Sequence, residues 1–203
     1  MAVQDVKDGI DVLEIWKVSG ITVILAACVN VLIQHWVASW KEKRVRKEEL
    51  NYQALRVALA LEKFAIACAG IVSDANIHEE TNGAVGQKYT ALPDIPISEA
   101  VQWKLFETQV VNEILSFENT IADANNSIAF HLNVSNLQED TEEAELQAGL
   151  CGYMAHQIAE RLRKKYDLGI RWLPVHGWDH VNQLKNMHDR KKAAYRASRP
   201  PIA

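Results

Sequence analysis

Residues 18–40 form an uncharged segment rich in Ile, Leu, Val and Ala, and this segment constrains the fold more than any other feature. Wound as an α-helix at about 1.5 Å per residue, its 23 residues are long enough to cross the roughly 30 Å hydrocarbon core of a bilayer. Trp16 precedes the segment and Trp36 and Trp40 close it, where indole rings favour the headgroup level. The sequence therefore predicts one transmembrane helix over residues 18–40, with the lipid bilayer as its partner.

Charged residues flank this segment unequally, and their distribution predicts its orientation. Residues 1–17 are acidic overall, whereas the seven residues after the segment contain five basic ones: Lys41, Lys43, Arg44, Arg46 and Lys47. Basic residues stay on the cytoplasmic side of a membrane helix. We therefore expect residues 1–17 outside the membrane, residues 41–49 as a basic juxtamembrane segment, and the rest of the chain in the cytoplasm.

Two alternatives for the apolar segment stay open. Residues 25–28, Leu-Ala-Ala-Cys, fit the pattern at which lipoprotein signals are cut, which would give an exported lipoprotein acylated at Cys28. The acidic N-terminus and the apolar run beyond Cys28 argue against that alternative. The segment would also suit the core helix of a soluble protein, since 48% hydrophobic residues and a mean hydropathy of -0.15 are ordinary values.

The composition of the remaining chain limits its chemistry. A net charge of -4 gives no reason to expect nucleic acid as a partner. Three widely spaced cysteines, Cys28, Cys68 and Cys151, provide no disulfide framework. Cys68 and Cys151 fall on apolar helical faces and are predicted to be buried thiols, and no cofactor is predicted.

Apolar stripes at helical spacing predict an all-α fold over residues 50–196. The first helix carries Leu50, Ala54, Val57, Leu61, Phe64, Cys68, Ile71 and Ala75 at heptad spacing. An irregular loop is predicted over residues 76–97. A second helix is predicted from Ser98 to His131, with the stripe Phe106, Val110, Ile114, Phe117, Ile121, Ala124 and Ile128.

A third helix is predicted from its charges, which are acidic near residue 139 and basic near residue 165, as the helix dipole prefers. Its stripe is Ala144, Ala148, Cys151, Ala155, Ile158 and Leu162, and Gly169 is the expected C-terminal cap. A fourth helix is predicted over residues 179–195, with Val181, Leu184, His188 and Tyr195 on one side, followed by a flexible tail at 197–203. We therefore expect the transmembrane helix to continue into an antiparallel bundle of three to four helices.

Candidate metal ligands occur once, at His176, Asp179 and His180. Imidazole and carboxylate groups suit zinc or iron, which would make the chain a membrane-tethered metal-dependent enzyme. The alternative is an exposed turn in which Asp179 caps a helix. No nucleophile elbow, zinc-protease helix or di-iron motif occurs, so the sequence favours a protein without catalytic activity.

Three segments resemble a group of bacterial proteins to which no activity is assigned. They are residues 59–66 (LALEKFAI), residues 92–96 (LPDIP) and residues 127–130 (SIAF). The resemblance implies a bacterial source, with the inner membrane as the location. It also implies one N-terminal membrane helix, a basic juxtamembrane segment and a helical domain, and it assigns no site residue.

The sequence therefore favours a membrane-anchored helical bundle that acts as a protein-interaction or scaffold module. Its partner is expected to be another protein or a second copy of the chain. Asn30 lies inside the apolar segment, where an amide needs a hydrogen-bond partner. That partner is either Asn30 of a second copy or the helix's own backbone and water.

Overall fold

The described part of the chain is helical. The structure, a computed structural model, describes residues 12–87, 91–98, 100–134, 140–170 and 178–197, with side chains at residue 30 and from residue 32 onward, except at 134, 140–141 and 194–197. These residues form α1 (Val12–Glu80), α2 (Thr108–Val134), α3 (Asp140–Tyr166), α4 (His180–Ala197) and a short 3-10 helix (Trp103–Leu105). The described ranges contain no strand, which confirms the all-α class.

The chain divides into two units, Met1–Glu48 and Glu49–Ala203. In the first unit, α1 covers the whole apolar segment, although the side chains of Trp16 and Cys28 lie outside the described residues. Among the residues that the structure describes, no helix is both long and apolar enough to cross a membrane. The predicted transmembrane role of residues 18–40 is therefore not confirmed and stays a prediction.

The second unit is a helical bundle whose core follows the predicted stripes. On α1 the stripe is fully buried except at its ends, Leu50 and Ala75, which are half-buried. Every predicted stripe residue of the second and third helices is buried. On α4, Leu184 is buried, Val181 and His188 are half-buried, and the side chain of Tyr195 lies outside the described residues.

Cys68 and Cys151 are free and buried, as predicted. Burial raises the pKa of the Cys151 thiol to about 12, and burial together with the nearby Cys151 raises the pKa of Cys68. Thiols with raised pKa values are poor nucleophiles at neutral pH. Both cysteines therefore act as small apolar core residues.

Polar contacts show that α2 and α3 run in opposite directions. Arg161, late on α3, donates to Glu113 near the start of α2. The Ser127 hydroxyl, near the end of α2, donates to Glu143 early on α3 over 2.8 Å. The early part of α2 thus faces the late part of α3, as the predicted antiparallel bundle requires.

The remaining contacts give α1 and α2 the same direction. Arg163 near the end of α3 pairs with Glu62 of α1, whereas Gly152, earlier on α3, lies against Cys68, later on α1. Helices α1 and α2 are both antiparallel to α3, so they are parallel to each other. The connection between Glu80 and Thr108 therefore returns the chain along the bundle, as crossover connections do in some four-helix bundles. The predicted antiparallel arrangement therefore does not extend to α1 and α2.

The connection between α1 and α2 differs from its predicted bounds. Helix α1 extends to Glu80, so residues 76–80 are helical, and α2 begins at Thr108 and not at Ser98. The Ser98 hydroxyl accepts a hydrogen bond from the Ala100 N–H at 3.3 Å, which makes a local turn. Phe106 then adopts extended backbone with ψ 156° while its ring is buried. Phe106 thus packs in the core although it lies before the start of α2.

Asn125 of α2 holds this connection in place. Its side-chain oxygen accepts a hydrogen bond from the backbone N–H of Leu92 over 2.7 Å, and Leu92 itself is buried in the core. A buried N–H needs such an acceptor. Asn125 and, through its bond to Glu143, Ser127 therefore make contacts across the bundle.

The end of α3 is near its predicted place, but a different residue forms the cap. The helix ends at Tyr166, and Asp167 adopts the left-handed conformation with φ 50°. The Leu168 N–H then donates to the Arg163 carbonyl over 3.0 Å, closing the last turn as in a Schellman motif. Gly169 also has a positive φ, but it lies two residues beyond that position.

Candidate functional site

One side of α1 in the first unit combines aromatic and basic side chains. We call it the aromatic–basic face, and it consists of Leu32, Trp36, Trp40, Lys43 and Lys47. The spacings of four, four, three and four residues place all five within an arc of about 80° on an α-helix that turns by about 100° per residue. The helical assignment thus gathers residues that the sequence analysis treated as separate aromatic and basic groups.

The apolar half of this face is open. Leu32, Trp36 and Trp40 are 66%, 71% and 56% exposed. Contiguous exposed apolar surface of this kind is uncommon on soluble proteins and marks contact with a partner or a membrane. Tryptophan in particular pairs an apolar ring with an N–H donor and suits a boundary between water and hydrocarbon.

Charges are sorted by side along the same helix. At about 100° per residue, Glu42 and Glu48 lie outside this face, on its two flanks and each about 120° from its centre. Arg44 lies between the face and Glu48 and pairs with Glu48 at 3.0 Å, with both side chains exposed. The aromatic–basic face therefore carries positive charge only.

The other predicted topology residues are placed differently. Lys41 and Arg46 are exposed on other sides of α1. Asn30 is exposed as well, so its predicted contact with a second copy stays a prediction. The basic residues were predicted as a topology signal from their number alone, without their positions around the helix, and Leu32 was not predicted. Projection of residues 32–47 on a helical wheel would have found the face.

Of the three predicted metal ligands, the structure describes Asp179 and His180. His176 lies outside the described residues. Asp179 caps α4 by accepting the Asn182 N–H at 3.1 Å, which is the capping role that the sequence analysis left open. His180 is buried and its Nδ1 lies 3.2 Å from the Trp178 carbonyl oxygen. Within the described ranges, no group of three or more His, Cys, Asp or Glu side chains is arranged to hold a metal ion.

A second cluster of polar side chains surrounds Glu143 on α3. Lys191, Ser127 and Gln147 all donate to its carboxylate, the last two over 2.8 Å each. Burial on its own would raise the pKa of Glu143, but these hydrogen bonds outweigh it and hold the pKa below its ordinary value. The cluster contains a stabilised carboxylate that joins α2, α3 and α4, and we assign it a structural role.

Comparison of the chain with protein-family models, with curated proteins and with solved structures finds no match. The resemblance to single-pass bacterial membrane proteins therefore stays a prediction from the sequence. A function for this chain has to be argued from its own surfaces, and the aromatic–basic face is the most distinctive of those described.

Proposed function

We propose that the chain is a membrane-anchored helical bundle that acts as a protein-interaction or scaffold module at the bacterial inner membrane. Residues 18–40 are its single transmembrane helix, residues 1–17 are outside, and the bundle is in the cytoplasm. The observation that carries this proposal is the exposed apolar end of that segment on α1. In the proposed arrangement these side chains contact lipid.

The exposed large apolar side chains at this end of the segment form a broad face of the helix, within an arc of about 140°, and not a narrow stripe. Ile33, Trp36 and Val37 have at least a third of their surface exposed, and they lie at different angles around the axis. Burying each such side chain stabilises a protein by roughly 1.5–3 kcal/mol, so their exposure to water is unfavourable. Residues 18–40 carry no charged side chain on any side of the helix, which is typical of a membrane span. The basic residues beyond Trp40 then favour the cytoplasm.

We expect the full-length protein, made in a bacterial host, to stay in the membrane pellet after alkaline carbonate extraction. Ile24→Arg places a charge inside the proposed span, which costs roughly 2.5–3.5 kcal/mol on insertion scales, and should shift protein to the soluble fraction. Val45→Arg adds the same charge outside the span and is the matched control. Fluorescence from a C-terminal green fluorescent protein fusion, and no activity from an alkaline phosphatase fusion, would support the cytoplasmic side.

Three outcomes would contradict this proposal. Extraction of the wild-type protein by carbonate would exclude the anchor. An active C-terminal phosphatase fusion would reverse the orientation. A lipid-modified N-terminal cysteine at position 28, found by mass spectrometry, would favour the exported lipoprotein.

The bundle itself presents an exposed apolar line that supports the interaction role. Tyr52, Leu59 and Ile66 of α1 are 58%, 41% and 41% exposed, and they are seven residues apart. This spacing places them on one side of the helix, with a drift of only about 20° per heptad. Their neighbours at buried positions form the core, so this line is the apolar surface that α1 leaves for another helix.

We expect the double variant Leu59→Gln/Ile66→Gln to lose the crosslinked species that the wild-type protein forms in its native membranes. The loss follows because a partner helix would no longer bury apolar surface there. Leu115→Gln, on the exposed surface of α2, is the control, and it should leave crosslinking unchanged. The mass of the crosslinked species distinguishes a second copy from a different protein. A wild-type protein that stays monomeric and uncrosslinked would rule the module out.

A further inference from the structure

We propose that the aromatic–basic face of α1 binds the headgroups of anionic phospholipids, with Lys43 and Lys47 contacting the phosphates. This inference rests on the proposed function, because the face meets headgroups only if residues 18–40 span the bilayer. It goes beyond that function by naming a lipid class and by placing its binding site on one side of the helix.

The spacing along the helix suits such a site. Lys43 and Lys47 follow Trp40 by three and seven residues, which corresponds to roughly 4.5 and 10.5 Å along an α-helix. If the Trp40 indole lies at the headgroup level, the two ammonium groups reach the phosphate layer and the water beside it. Lysine stems extend along apolar surface while their charges stay in the polar layer.

The sorting of charge selects an anionic partner. Both lysines lie on the face that carries the tryptophans, while Glu42 and Glu48 lie outside it, each about 100° around the helix from the nearer lysine. A phosphate that approaches from the tryptophan side therefore meets two ammonium groups and no carboxylate. Each basic residue near an anionic membrane surface raises association by about fivefold.

Charge also argues against a second copy of the chain on this face. Two copies that met through their aromatic–basic faces would bring Lys43 and Lys47 of each helix together, and like charges across an interface disfavour association. Trp40 is 56% exposed and Trp36 more so, so the face is open to lipid. A molecule with an apolar tail and an anionic head would contact the apolar side chains of this face with its tail and the lysines with its head.

The test uses full-length protein in phosphatidylcholine vesicles that contain a minor fraction of brominated lipid, which quenches tryptophan on contact. The brominated lipid is either phosphatidylglycerol or phosphatidylcholine. We expect phosphatidylglycerol to show a relative association constant at least about fivefold higher, and the preference should fall as salt is raised. Lys43→Gln/Lys47→Gln should abolish the preference. Lys41→Gln/Arg46→Gln makes the same change in net charge on other sides of the helix and should keep most of it.

Equal quenching by the two lipids in the wild-type protein would overturn this inference, and so would equal loss of preference in the two double variants. The first result would show no selectivity, and the second would show that net charge acts without a face. Carbonate extraction of the same vesicles separates the two proposals. Protein that is extracted contradicts both, whereas protein that stays inserted without lipid preference contradicts the lipid site alone.

Discussion

The variant Arg163→Met is expected to lower the free energy of unfolding of the bundle by about 3–5 kcal/mol. In the wild-type protein the guanidinium of Arg163 holds Glu62 with two hydrogen bonds, Nε to Oε1 at 2.6 Å and a second to Oε2 at 3.2 Å. The two side chains are only 11% and 7% exposed. Hydrogen bonding to Glu62 raises the pKa of Arg163, so the guanidinium is protonated across the working pH range. Methionine retains the apolar stem but leaves a buried carboxylate without its guanidinium.

The measurement is denaturant unfolding of the full-length protein in a mild detergent, followed by circular dichroism. Arg161→Met is the matched control, because Arg161 is two residues away on the same helix and pairs with Glu113 at an exposed position. Exposed ion pairs contribute about 0–1 kcal/mol, so this variant should unfold close to the wild type. A similar small change for Arg163→Met would show that the buried pair has no special role.

The double variant Glu62→Leu/Arg163→Met separates two causes of the loss. If the cost comes from a charge left without its partner, removing both charges should recover part of the stability. If the cost comes from lost packing, the double variant should be at least as unstable as Arg163→Met. We expect partial recovery, since buried ion pairs can be replaced by apolar groups at little net cost.

The core of the bundle could be predicted from the sequence because periodicity is a local signal. Residues such as Ile114 and Phe117 recur at helical spacing, and this spacing alone places them on the buried side. The buried pair of Glu62 and Arg163 could not be predicted this way, because its members are 101 residues apart. From the sequence, Arg163 is only one of the basic residues at the end of α3, and their favourable interaction with the helix dipole is enough to explain them.

The directions of the helices and the bounds of the connection between α1 and α2 could not be predicted either. They too depend on contacts between residues that are far apart in the sequence. Ser98 after Pro96 has the features of a helix start, yet α2 begins only at Thr108, after the short 3-10 helix Trp103–Leu105. The reason is tertiary, since the connection has to return along the bundle and is fastened by Asn125 at Leu92. The candidate site could also be predicted only in part. Trp36 and Trp40 were predicted from residue type, whereas the face that they share with Lys43 and Lys47 is found only when these residues are placed around the axis of a helix.

Two glycines on α3 allow α4 to pack closely against it. A Cβ atom at Gly149 would lie 2.2 Å from Cβ and 3.2 Å from Cα of Met187. At Gly152 it would lie 2.7 Å from Cβ of Cys68 and from a methyl group of Leu184. Met187 and Leu184 are the core residues of α4. The separation between α3 and α4 therefore depends on these positions having no side chain.

Gly149→Ala is therefore expected to displace α4 from α3 and to destabilise their contact by roughly 1–3 kcal/mol, the usual cost of overpacking. The clash involves the backbone of Met187, which a change of rotamer cannot relieve. Limited proteolysis and hydrogen exchange of the full-length protein should show faster cleavage and exchange in α4. Gly70→Ala is the matched control, because a Cβ there meets nothing within 4 Å, and the gain in helix propensity should stabilise α1 by about 0.5–1 kcal/mol. Equal protection of α4 in Gly149→Ala and in the wild-type protein would mean that α3 and α4 are less closely packed than the structure indicates.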